Sequence, residues 1–219
     1  MDEEIREKEQ PGLLATLLRI PYLFTIVLIV INVVTFLVVE LTGGSRDTVH
    51  MLDVGAAYAP FIQGGEGYRL FTCMFLHFGI DHLANNMVVL GVLGERLERV
   101  EGHFRFLLIY LLGGLGGSVA SYLWELRTKK YTVSAGASGA VFALMGAILF
   151  LVIRNGGKLL DLSMKRVVIM VALSVYLGFV DAKVDVAAHL GGLVCGFALA
   201  ALLDILPLRR RSREAEAES

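Results

Sequence analysis

The stretch YTVSAGASGAVFALMG, residues 131–146, sets a hydroxyl, Ser138, among Gly136, Ala137 and Gly139 at the head of an apolar run. Small residues of this kind let membrane helices pack closely, and a serine among them commonly serves packing alone. A serine at the start of a helix also has unpaired backbone N–H groups beside it, which suits a reactive group. What decides between the two is what else in the chain can reach Ser138.

The chain has 219 residues, of which 56% are hydrophobic and 19% charged, against about 25% charged in an ordinary soluble domain. Its mean hydropathy is +0.67. The charges cluster between long apolar runs, the pattern of an integral membrane protein. A net charge of −1 and the lack of a basic face give no reason to expect a nucleic-acid partner. Cys73 and Cys195 stand far apart in apolar contexts and read as two buried thiols rather than a disulfide framework.

Six spans are expected, over about 21–41, 81–99, 103–126, 137–155, 163–181 and 185–206. The fold class is therefore an all-α polytopic membrane protein. The opening MDEEIREKEQ is polar and mixed in charge, so the run after it reads as a retained first helix rather than a signal peptide. Residues 1–20 are expected to form a cytoplasmic segment, 21–206 one six-span domain, and 207–219, ending RRRSREAEAES, a charged cytoplasmic tail. With both ends inside, 14 of the 20 Lys and Arg residues fall on the inner side and 6 on the outer, as the positive-inside rule requires. The connection from 42 to 80 is too long for a turn. Its YRLFTCMFLHFG, residues 68–79, is rich in the aromatic rings that settle at a membrane interface.

In this topology spans two, four and six all begin on the outer side. At or near those beginnings stand His82 and Asn86 in DHLANN, Ser138 in GASG, and His189 in DVAAHLGG. Polar groups inside a membrane are costly and point to function. Packing explains each residue alone, but it does not explain why all four gather at the same end of alternate helices. The chemistry they share is acyl transfer. Ser138 supplies the nucleophile and His189 the base that takes its proton and returns it to the leaving amine. His82 and Asn86, at i and i+4, face one way and can donate to an oxyanion together with the Ser138 backbone N–H. Small-residue stripes, Gly139-Ala143-Ala147 on span four and Ala188-Gly192-Gly196-Ala200 on span six, allow the approach this requires.

The remaining polar residues read more simply. His77, Asp81 and His82 do not share a helical face, so no metal is expected. His50 and His103 fall in connections and are expected to be solvated. Asp185, four residues before His189, fits an N-cap of span six better than a third member of a triad, although both roles remain open.

These motifs together resemble the rhomboid family of intramembrane serine proteases. GASG, HLANN and AHLGGLVCG occur in the family's order on alternate helices, and the likeness covers about residues 20 to 206. The resemblance implies a rhomboid-like bundle that cleaves membrane-spanning substrates near their outer ends with a Ser138–His189 dyad and no cofactor. It also implies structural roles for Tyr68-Arg69 and for Glu98, and a mobile gate formed by span five and the loop DAKVD. Many members carry Tyr where this chain has Phe142, which can still stack on the His189 ring. The implied location is a bacterial plasma membrane, with the bilayer and transmembrane proteins as partners. Oligomeric state is not readable. An inactive rhomboid-like protein that binds membrane clients is the alternative, although such a chain would ordinarily lack the serine or the histidine. A proton-coupled transporter would instead show acidic residues in mid-span.

Overall fold

The computed structural model of the protein describes residues 19–180 and 184–205. The expected N-terminal segment, apart from Arg19 and Ile20, lies outside them, as do the tail and residues 181–183 of the DAKVD loop. Apart from one two-stranded hairpin and an isolated bridge, the regular elements of the described chain are helices. Its longer elements are α1 (Leu23–Thr42), α5 (Gly79–Thr128), α6 (Ser138–Arg154), α7 (Met164–Val180) and α8 (Val186–Ile205). The short helices α2 (Thr48–Asp53), α3 (Ala59–Gln63) and α4 (Arg69–Thr72) lie between α1 and α5. The hairpin pairs β1 (Lys158–Leu159) with β2 (Leu162–Ser163), between α6 and α7.

Three of the described helices, α1, α5 and α8, are long and apolar enough to cross a membrane. At 50 residues, α5 is far longer than one crossing needs, and Gly102, with φ 78° and ψ 169°, interrupts it. The break falls between the second and third expected spans and divides α5 into an N-terminal and a C-terminal arm. The 17 residues of α6 extend only roughly 25 Å at 1.5 Å each. This helix is nonetheless the centre of the fold, with every residue from Gly139 to Ile148 buried. In contrast α1 buries only a stripe, Thr25, Leu28, Asn32, Phe36 and Val39, and exposes Val30, Val34, Leu37 and Val38. Spacings of three and four residues make that stripe one helical face, with the opposite face left for lipid.

Backbones come together where side chains are smallest. A Cβ added at Gly117 on the C-terminal arm of α5 would lie 2.7 Å from the Ala188 carbonyl oxygen and 3.3 Å from the Gly139 Cα. One added at Gly192 would overlap the Gly139 carbonyl, and one at Gly196 the Ala143 carbonyl. At Gly114 the added atom would sit 2.8 Å from the Ala140 Cβ. α5, α6 and α8 therefore meet along a seam too tight for any residue larger than glycine at these points.

The start of α1 has no side-chain cap of its own. Its unpaired donors are met instead by Glu98, 1% exposed, near the C-terminal end of the N-terminal arm of α5. Glu98 Oε1 accepts from Phe24 N at 2.9 Å, and Oε2 accepts from Thr25 N at 2.8 Å and Thr25 Oγ1 at 2.7 Å. His103 also hydrogen-bonds Glu98, so it is not solvated as its sequence position suggested. The break at Gly102 turns the chain so that the imidazole lies back against the carboxylate. His50 likewise sits in a helix, α2, with its ring against the Thr42 hydroxyl.

The connection from α1 to α5 is built around a second buried charge. Arg69, 5% exposed, donates to the Leu52 and Ala56 carbonyls at 2.6 and 3.0 Å and pairs with Glu66. The Phe61 and Tyr68 rings flank its guanidinium. Hydrogen bonds from Arg69 and Tyr68 hold the Glu66 carboxyl below its ordinary range. This segment is fastened to the turn before α6 in three places. Ala57 and Ser134 exchange backbone hydrogen bonds at 2.9 Å, Cys73 O accepts from Gly136 N at 2.9 Å, and His77 Nε2 accepts from Ala137 N at 3.3 Å.

Two outcomes follow from these ties. Glu98→Ala leaves several buried donors at the start of α1 unsatisfied and is expected to cost about 3 kcal/mol. Thermal unfolding in detergent measures this, and Glu98→Gln, which keeps one acceptor, should lose less. His77 is buried at 1% exposure, and burial, then the neighbouring His82, pushes its pKa from 6.5 down to about 3. A depressed folded value means that protonation favours the unfolded chain. Its contribution is therefore complete above about 6.5 and is lost as pH falls toward 3. The melting temperature of wild type should fall more steeply below that point than that of His77→Gln.

Candidate active site

Ser138 is the first residue of α6, and the turn leading into it is held by its backbone. Gly136 takes φ 150°, a conformation side chains rarely adopt, and a Cβ there would lie 2.6 Å from His82 Cε1. The same added atom would be 3.7 Å from Ser138 Oγ, so the His82 imidazole and the serine hydroxyl flank one glycine. The N–H groups of Gly136 and Ala137 are spent on Cys73 O and His77 Nε2. Ala137 provides no side-chain cap, which leaves the Ser138 N–H among the first donors of α6 without an acceptor in the helix.

His189 lies in the first turn of α8. Its ring stacks on Phe142, one turn beyond Ser138 on α6, at 4.1 Å between centroids and 15° between planes. The residue after Ser138, Gly139, packs against Gly192 and Ala188 on either side of His189. The helices bearing the hydroxyl and the imidazole are thus in backbone contact at the level of both groups. No hydrogen bond joins Ser138 to His189 among the described residues. Asp185 resolves as the N-cap: its Oδ1 accepts from Ala188 N at 2.9 Å, and it is not hydrogen-bonded to the His189 ring.

His82 and Asn86 stand in the first two turns of α5. Asn86 is buried, and its Nδ2 donates to the His82 carbonyl at 3.0 Å, one turn back on its own helix. An amide carries two hydrogens, so this bond leaves Asn86 a second donor. The His82 ring lies edge-on to His77, with centroids 5.2 Å apart and planes at 72°. Asp81 is far from this pair in role, since its exposed carboxylate faces Arg46 at 3.6 Å. Among the described residues no group of His, Cys, Asp or Glu has the arrangement of a metal site.

The structure brings Ser138, His82, Phe142 and His189 into one neighbourhood, with Asn86 one turn along from His82. It adds His77, whose part in holding the turn before Ser138 was not read from the sequence. The available signal was a histidine five positions before His82, next to Phe78-Gly79, where the chain turns into α5. On the side of Ser138 toward the C-terminal arm of α5 lies a cavity of about 50 Å³ with polar and apolar walls. Ser118, Ser121, Glu125, Thr132, Ser134 and Asp185 are among its lining residues. A space of that size with several polar partners is able to hold water.

The family model of the Rhomboid domain matches residues 64–204, which include all of the polar residues just described. The chain is 37% identical over 182 residues to the rhomboid protease GluP of Bacillus subtilis, covering 83% of this chain and 35% of that protein. It is 41% identical over 171 residues to RHOMBOID-like protein 4 of Arabidopsis thaliana, covering 76% and 41%. A further Bacillus subtilis relative, YdcA, is 34% identical over 168 residues, covering 77% of this chain and 78% of its own. The chain spans between about a third and a half of the length of GluP and the Arabidopsis relative. With a matched domain, relatives at 34–37% identity and a helical membrane architecture, the chain belongs to the rhomboid family.

Proposed function

We propose that the protein is an intramembrane serine endopeptidase that cuts transmembrane segments of membrane proteins near their outer ends. The observation that carries this reading is the seating of Phe142 on the His189 ring beside the Gly139–Gly192 contact. It supports a hydroxyl and an imidazole held on facing helices. Ser138 Oγ attacks the scissile carbonyl carbon while its proton passes to His189. The oxyanion that forms is met by the Ser138 N–H, His82 and Asn86. The C–N bond then breaks as His189 returns the proton to the leaving amine, and water hydrolyses the acyl-enzyme in the second half of the reaction. Direct Ser–His hydrogen bonds in unliganded sites are often long and tighten when substrate binds. Phe142 holds the base ring in plane through that movement.

In this reading α1, the two arms of α5, α6, α7 and α8 make six spans in a bacterial plasma membrane, with both termini cytoplasmic. α7 and the adjoining loop serve as the gate. The short α6 begins below the outer surface, so hydrolytic water enters from the outer side, and the cavity beside Ser138 is where it is held. A substrate helix hides its carbonyls in its own hydrogen bonds, so the cleaved stretch carries small or helix-breaking residues that unwind.

The test is labelling of the detergent-solubilised protein with a fluorophosphonate. Wild type should be modified at Ser138, whereas Ser138→Ala and His189→Ala should show no modification while keeping the wild-type melting transition. A folded wild type that stays unlabelled would favour the client-binding, inactive reading.

A further inference from the structure

Asp185 does more than cap α8. Its Oδ1 takes the Ala188 N–H at 2.9 Å, while Oδ2 accepts from the Ser134 hydroxyl at 3.1 Å and from Ser121 by a short hydrogen bond. The three donors come from three different elements. Ala188 adjoins His189 on α8, Ser134 precedes Ser138 in the turn entering α6, and Ser121 is on the C-terminal arm of α5. Ser134 is itself paired through its backbone with Ala57 of the connection between α1 and α5. One carboxylate thus joins the start of the base-bearing helix, the turn before the nucleophile and the wall against which both pack.

We propose that Asp185 is a positioning residue for the Ser138–His189 pair, setting the register of α8 against the nucleophile turn through Ser134 and Ser121. This rests on the proteolytic reading above for its consequence in catalysis, although the tie itself does not. A carboxylate suits the position for a physical reason. Two oxygens with four lone-pair sites can accept all three hydrogens at once, and charge-assisted bonds are shorter and stronger than neutral ones. An asparagine caps a helix as well as aspartate does, so Asp185→Asn spares the cap. It replaces the second acceptor with a donor facing two hydroxyls. Ser134→Ala separates the functions from the other side, removing only the arm to the nucleophile turn.

The experiment compares wild type, Asp185→Asn, Ser134→Ala and the double variant on a cleavable transmembrane substrate, together with backbone hydrogen exchange of each. Asp185→Asn and Ser134→Ala are expected to lower kcat about tenfold to a hundredfold, as small misplacements of reacting groups do, with KM within about twofold. The double variant should lose no more than the worse single variant, because both cut one link. Exchange should rise together over residues 133–138 and 186–190 in both single variants. A role in capping or stability alone predicts wild-type kcat per folded molecule in Asp185→Asn, and that result would overturn the proposal. So would exchange rising at 186–190 with none at 133–138. If wild type neither cleaved nor labelled, the proteolytic reading would fall, and the coupled exchange would still decide whether Asp185 ties the two segments.

Discussion

Inside a bilayer, apolar side chains gain little by leaving lipid for one another, so helices hold together through close contact and hydrogen bonds. The seam among α5, α6 and α8 meets this constraint with glycine. Gly117, Gly192 and Gly196 bring carbonyl oxygens and Cα atoms of neighbouring helices within the space a methyl group would fill. The hydroxyl of Ser138 and the imidazole of His189 sit at one end of that seam. Ser138 leads into it from α6 and His189 from α8, so the same contacts that bind the helices set the separation of hydroxyl and imidazole. Because packing of this kind leaves little room for an added carbon, the hydroxyl and the imidazole inherit its rigidity.

The second constraint is that buried polar groups must find partners, because the bilayer core offers no water. The protein meets it with a few multidentate side chains rather than many single bonds. Glu98 gathers the first donors of α1, Arg69 gathers carbonyls of the connection, and the turn before Ser138 gives its N–H groups to Cys73 and His77. Each of these residues joins segments that lie well apart along the chain. The consequence at the site is selective. The donors of Gly136 and Ala137 are consumed by structure, and that of Ser138 is left at the helix start.

Much of this was legible in the residues themselves. Apolar runs of bilayer length placed five long helices within two or three residues, and Gly102 broke α5 where a boundary between two spans was expected. The small-residue stripes on α6 and α8 were visible as spacing and do form the contact. What spacing could not disclose is pairing across the fold. Nothing periodic links Ala137 to His77, 60 residues away, or Ser134 to Asp185, 51 away. His103 shows the same limit, since a histidine near a glycine break reads as a loop residue until the break is seen to turn it onto Glu98. Length says less about surroundings. An apolar run shows that a segment avoids water, but not that the stretch of α6 from Gly139 to Ile148 is buried by protein.

Glu98 also has a bearing on how the chain is made. The carboxylate that closes the start of α1 lies 74 residues downstream of Phe24. During synthesis α1 therefore enters the bilayer with its first donors open, and it can be closed only after the N-terminal arm of α5 has followed. Until then α1 is a lone apolar helix with one polar fringe, free to turn and to move away from the growing bundle. Its docking waits for that arm, and the bond that completes it forms at the far end of the arm from His82 and Asn86.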